Sequence, residues 1–228
     1  MSYLAKEERR AQILYGAVRY FAEEGIAGQT RELSRRLGIT QPLIYRYFPS
    51  KQHLLDAIFE ELFVNRWDRG WKALITEASI ALDVRIARFY REFDQKILSR
   101  EWVRLFVFSG LSGLPYNQFV FRRLLKEIFR PLCVELRKHH GYPPTTPGRI
   151  TRQEIEMVWE LHGVVFYHRM REHVYGLKVT TRHDELITNL LFYLEGAAPR
   201  LLAQILPDRS PQVADSADSP STERRRRR

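Results

Sequence analysis

Apolar residues recur at Ala11, Leu14, Tyr15, Val18, Phe21 and Ala22, the spacing of one face of an α-helix, and Gly25 stops the run. A shorter helical segment follows from about Thr30 to Leu37, and Gly38 ends it. Thr40 is placed to cap a third helix with its hydroxyl, while Pro42 falls in the first turn, where its missing N–H does no harm. That helix ends at Pro49. Ser50 caps a fourth, in which Leu54, Leu55, Ile58, Phe59, Leu62 and Phe63 repeat at helical spacing. Beyond it the pattern stays helical, with breaks near Gly70, from Gly110 to Pro115 and from Gly141 to Gly148. Thr151 and Glu154, flanked by Ile150 and Ile155, spell a capping box with a hydrophobic staple, so a helix is predicted to begin there. Its stripe is Ile155, Val158, Trp159, His162, Phe166 and Met170. One last helix is predicted to carry Ile187, Leu190, Leu191, Leu194, Ala198, Leu201, Leu202 and Ile205 as a single stripe. No alternating, strand-like run of useful length occurs, so the predicted fold class is all-α.

Two adjacent, strongly striped helices at the end of a chain invite pairing with a second copy. From Pro207 the composition shifts to Asp, Ser, Pro and Arg, which predicts a disordered Arg-rich tail over 207–228. A boundary is expected after residue 52, leaving 53–206 as a larger helical domain.

Hydrophobic residues make up 44% of the chain, enough to bury a sizeable core. The single cysteine, Cys133, has no internal disulfide partner, and the N-terminus shows no basic region followed by an apolar run; a reduced, cytoplasmic setting is expected. The longest uncharged stretch, the 17 residues from Leu105 to Phe121, falls short of the roughly 20 that a bilayer span needs. It also holds Gly110, Gly113 and Pro115, so it reads as two buried helical pieces joined by a turn, with no membrane partner. A formal net charge of +10 favours a polyanionic partner, although the five arginines Arg224 to Arg228 supply half of it.

Residues 38–51, GITQPLIYRYFPSK, give that charge a use. Two short helices joined by a glycine-containing turn describe a helix-turn-helix. Ile44 and Phe48, four apart, face inward with Leu33, Leu37 and Ile39, which leaves the other side chains of the second helix free to face a partner. A helix of this size fits the major groove of B-DNA, where Gln and Arg pair bidentately with adenine and guanine edges.

The segment from Arg9 to Leu62 resembles the DNA-binding domain of the TetR family of bacterial repressors, through RRAQILYGAVRYFAEEG, TRELSRRLGITQPLIYRYFPSK and LLDAIFEEL. The TRELSRRLGITQP portion is similar to tetracycline-repressor-like members. Two positions depart from the family pattern: Gln29 stands where a second hydroxyl residue is common before the first motif helix, and Ser34 where a small alanine is common. The resemblance implies a ligand-responsive regulator, a repressor by expectation, that binds a pseudo-palindromic double-stranded DNA operator as a homodimer. It implies base-reading roles for Arg31, Gln41, Pro42, Leu43, Tyr45 and Arg46, and phosphate contacts for Thr30, Thr40, Tyr47 and Lys51. Arg35 and Arg36 read as a solvated basic face. In the larger domain the resemblance is architectural and implies effector binding and dimerisation.

Rings are dense there, and Trp102, Phe106, Tyr116, Phe119, His162 and Phe166 are the candidates to line a pocket for an unidentified small molecule, apolar or aromatic in kind. His139-His140 and the His168/Glu172 pair are the nearest approach to metal ligands, yet there is no Glu-x-x-His and no second cysteine, so no metal and no cofactor are expected. No nucleophile with a recognisable base, phosphate-cradling loop or dinucleotide fingerprint supports an enzyme. The competing expectation is a ligand-independent DNA-binding protein whose larger domain only dimerises.

Overall fold

The computed structural model describes residues 3–207, with side chains from Lys6 onward; the predicted tail lies outside the described residues except for Pro207. Among the described residues every regular element is helical.

Helix α1 (Tyr3–Glu24) stops before Gly25, as its spacing predicts. Helices α2 (Thr30–Arg36) and α3 (Gln41–Tyr47) follow, then α4 (Lys51–Phe59), which runs on through a π-helical turn at Glu60–Val64. The larger part comprises α5 (Trp71–Thr76), α6 (Leu82–Lys96), α7 (Arg100–Leu111) and α8 (Tyr116–Leu124), the last joined through a second π-helical turn (Leu125–Phe129) to α9 (Arg130–His139). Helices α10 (Arg152–His173), α11 (His183–Gly196) and α12 (Ala198–Ile205) complete it. The uncharged stretch 105–121 divides between α7 and α8 across a turn, and no described helix is long and apolar enough to cross a membrane.

The single terminal stripe does not form one helix. Residue 197 interrupts it, because Pro199 lacks the N–H that would bond Glu195 and its ring crowds that carbonyl. The apolar phase survives the break: Leu190, Leu194, Ala198 and Leu202 are all buried.

One continuous buried cluster runs from Ile13 through Leu54, Phe93 and Leu132 to Leu206, so the helix-turn-helix shares its core with the rest of the chain. Arg104 of α7 reinforces that junction. Its guanidinium donates to the Ala22 and Glu23 carbonyls at the end of α1 and to the His173 carbonyl at the end of α10, placing a cation where two helix dipoles end negative. Deeper in, Arg137 and Glu154 form a bidentate ion pair, with Nη2 to Oε2 at 2.8 Å and side chains 1% and 0% exposed. Glu154 is also the N3 residue of the Thr151 capping box, accepting the Thr151 N–H at 2.8 Å, so one carboxylate both starts α10 and neutralises an arginine of α9.

Candidate nucleic-acid interface and helical core

The turn between α2 and α3 is built by the backbone. Gly38 adopts φ +63°, a left-handed conformation that disfavours side chains, and the Ile39 N–H reaches back to the Ser34 carbonyl at 3.1 Å. Leu33, Ile44 and Phe48 are at most 2% exposed and fix α3 against α2 in the core they share with α1. Gly16 lets Leu37 approach α1: a Cβ there would lie 2.4 Å from Leu37 Cδ2. The Thr40 hydroxyl, expected to cap α3, makes no capping bond, whereas Ser50 does cap α4 by accepting the His53 N–H at 3.2 Å.

Arg31, Thr40, Pro42, Tyr45 and Arg46 are exposed, and Gln41, Leu43, Tyr47 and Lys51 are half-buried. Neither Arg31 nor Arg46 has an ion-pair partner within 4 Å among the described residues, so both guanidiniums are available to an anion or a base edge. Lys51 lies with its ammonium 5.6 Å from the Phe21 ring centroid, and burial pulls its pKa below the ordinary value.

Thr30 departs from expectation. It is 5% exposed, and its hydroxyl accepts from Gln41 Nε2 at 2.9 Å and meets the Tyr45 hydroxyl at 2.8 Å. It stands behind the surface and orients two side chains on it, because the first turn of α2 faces α3 at this point. Nor are Arg35 and Arg36 a free basic face. Arg35 pairs with Glu32, and Arg36 bridges Glu32 to Glu23 and Glu24 at the end of α1. These acids hold Arg36 on the scaffold, and they leave Arg31 and Arg46 as the unpaired arginines of α2 and α3 among the described residues.

The six ring candidates of the larger part do not gather around one open pocket. Trp102 and Phe106 stack at 4.8 Å, with Phe63 and Phe166 against them. Tyr116 and Phe119 meet Phe59 of α4 instead, at 4.3 and 5.5 Å. The void beside Tyr116 is about 10 Å³, no larger than one water requires. The Tyr116 hydroxyl accepts from Gln52 and donates to Asp56, both on α4; burial, then the Asp56 contact, raises its pKa. It is therefore a link between α8 and α4.

His162 lies apart from that group, its ring 5.4 Å from Phe93 and 5.3 Å from Phe129. Burial pushes its pKa down to about 4, which keeps the imidazole neutral at neutral pH. Its Nδ1, Trp102 Nε1 and the hydroxyl of Tyr90 are buried without a hydrogen-bond partner among the described residues. Tyr90, 0% exposed beside His162, was not among the sequence candidates, although its place on the inner face of α6 marks it as buried. Such orphaned polar atoms are uncommon in a closed core.

Residues 13–58 match the family described as "Bacterial regulatory proteins, tetR family". No curated protein matches the chain. Among solved structures, a TetR family transcriptional regulator from Pseudomonas syringae pv. tomato str. DC3000 is similar over 83% of this chain and 96% of its own, with a TM-score of 0.54 and 15% identity. A tetR-family transcriptional regulator from Streptomyces coelicolor is similar over 87% of this chain and 83% of its own, with a TM-score of 0.54 and 18% identity. At such identities the likeness is one of fold.

Proposed function

We propose that this transcriptional regulator, whose N-terminal helices form a DNA-binding domain of the tetR family, is a homodimeric repressor. Its grip on a pseudo-palindromic operator is loosened by a small apolar or aromatic effector. The observation that carries the reading is α3. A seven-residue helix anchored by Ile44 and Phe48 presents Gln41, Pro42, Leu43, Tyr45 and Arg46 outward, beside Arg31 of α2, with Thr40, Tyr47 and Lys51 at the flanks for phosphates.

The two-fold is assigned to α10 and α11. Val164 and Tyr167 on the first, and Phe192 and Tyr193 on the second, are 37–65% exposed, large apolar side chains that a second copy could cover. Two copies joined there would carry their α3 helices to successive major grooves, about 34–36 Å apart. An effector entering between Tyr90 and His162 would complete their unpartnered atoms, and the Tyr116–Asp56 link and Arg104 would pass the rearrangement to α4 and α1. It shifts the population only by its differential affinity for the two conformers. The closed rings around Trp102 and Tyr116 favour the second reading, a ligand-independent DNA-binding protein; a ligand that releases operator DNA excludes it.

Binding titrations over a range of salt test the assignment. Arg46→Ala is expected to relax base preference and cost roughly 1–3 kcal/mol on the chosen operator, with Gln41→Ala acting in the same direction. Lys51→Ala is expected to weaken binding to every sequence and to flatten the salt dependence. If Lys51→Ala changes base preference while Arg46→Ala does not, the roles are reversed.

Thr30→Val keeps the shape of the buried side chain and removes the hydroxyl that orients Gln41 and Tyr45. Operator affinity is expected to fall by about 1 kcal/mol while thermal stability changes little, because both released groups reach solvent. An unchanged affinity would show that their orientation does not matter.

A further inference from the structure

We propose that the cleft between the start of α6, the end of α9 and the end of α11 binds a small amphipathic cation, an amine on a compact apolar or aromatic body. The cleft encloses about 220 Å³, more than the roughly 150 Å³ cavity known to take up benzene. Leu82 and Ile86 of α6, Leu136 of α9, and Leu191 and Leu194 of α11 give it an apolar lining. It is separate from the ring core around Trp102 and His162, none of whose residues line it.

The polar groups at this cleft set the sign of the ligand. Asp83 and Glu195 are exposed, and neither carboxylate has an ion-pair or side-chain hydrogen-bond partner among the described residues. Two helices, α9 and α11, end here, at His139 and Gly196; the basic last turn of α9 offsets its dipole, whereas α11 has no basic residue in its last turn and keeps a negative end at the space. The one helix that starts here, α6, has Asp83 in its first turn, which offsets its positive end. His139 and His140 also line the cleft; burial, then the neighbouring His139, lowers the His140 pKa, so its ring stays uncharged at neutral pH and can accept a hydrogen bond. Among the described residues no group of three or more His, Cys, Asp or Glu side chains is arranged to hold a metal ion.

Ligand-observed NMR titrations of the full chain test this with three probes that share a phenyl ring: phenethylamine, phenethyl alcohol and hydrocinnamate. The amine is expected to bind, the alcohol roughly tenfold more weakly, and the anion not measurably, given two exposed ion pairs and one helix end. The paired substitution Asp83→Asn and Glu195→Gln, both on the surface, is expected to remove most of the amine's advantage over the alcohol. Leu191→Trp is expected to fill the cleft and remove both. No binding of phenethylamine, equal binding of amine and anion, or an amine advantage that survives the paired neutral substitutions overturns the proposal. Operator binding, read separately, is not expected to change in the neutralised variant.

Discussion

Aspartate at both Val164 and Phe192 is expected to split the proposed dimer and to lower operator affinity by about 10²- to 10⁴-fold, the range that linking two binding modules commonly supplies. Each copy holds one α3, so a lone copy reads one half-site. Both positions are exposed, at 50% and 65%, and neither belongs to the buried core or to the residues assigned to base reading. Two buried carboxylates facing their symmetry mates would oppose association strongly. Sedimentation and a gel-shift titration should therefore change together. A variant that stays dimeric with its operator affinity intact would move the two-fold to another face.

Glu154→Ala is expected to destabilise the larger helical part by about 3–5 kcal/mol, a large share of the 5–15 kcal/mol that holds a typical domain together. The loss has two sources. Arg137, 1% exposed, would keep its charge without a counterion, and the Thr151 cap of α10 would lose its reciprocal partner. Burial alone would raise the Glu154 pKa, but the Arg137 guanidinium and the Thr151 hydrogen bonds outweigh it and leave the value lowered. The stability the pair contributes is thus present above the unfolded carboxylate pKa of about 4.3 and is lost as pH falls below it. Replacing both partners with Met and Leu should recover most of the loss, since a well-packed apolar pair can equal a buried ion pair. Urea unfolding of the single and double variants measures each step.

The parts of this structure that were legible in the sequence are those with local causes. Helical spacing placed the amphipathic helices; Gly25, Gly38 and Ser50 punctuated them; and Thr151 with Glu154 announced the start of α10. The terminal break at residue 197 was masked because the apolar phase carries through it, although Pro199 was in plain view. Side-chain direction was less accessible. A motif gives Thr30 a place on α2, yet only the packing of α2 on α3 turns its hydroxyl inward. Arg36 is exposed as read, but its pairing was hidden because its acidic partners Glu23 and Glu24 belong to another helix. Ring content, likewise, does not reveal where rings close on one another and where space remains. The cleft at Asp83 and Glu195 is assembled from three helix ends far apart in sequence, and no spacing rule brings them together.

Base reading by α3 from a proposed two-fold dimer is tested most directly by selection of random duplexes by the full chain at fixed, modest salt. The expected outcome is an enriched inverted repeat whose half-sites are centred about 10–10.5 base pairs apart, or a multiple of that, with the enrichment lost in Arg46→Ala. Duplexes recovered no more often than bulk competitor would contradict it.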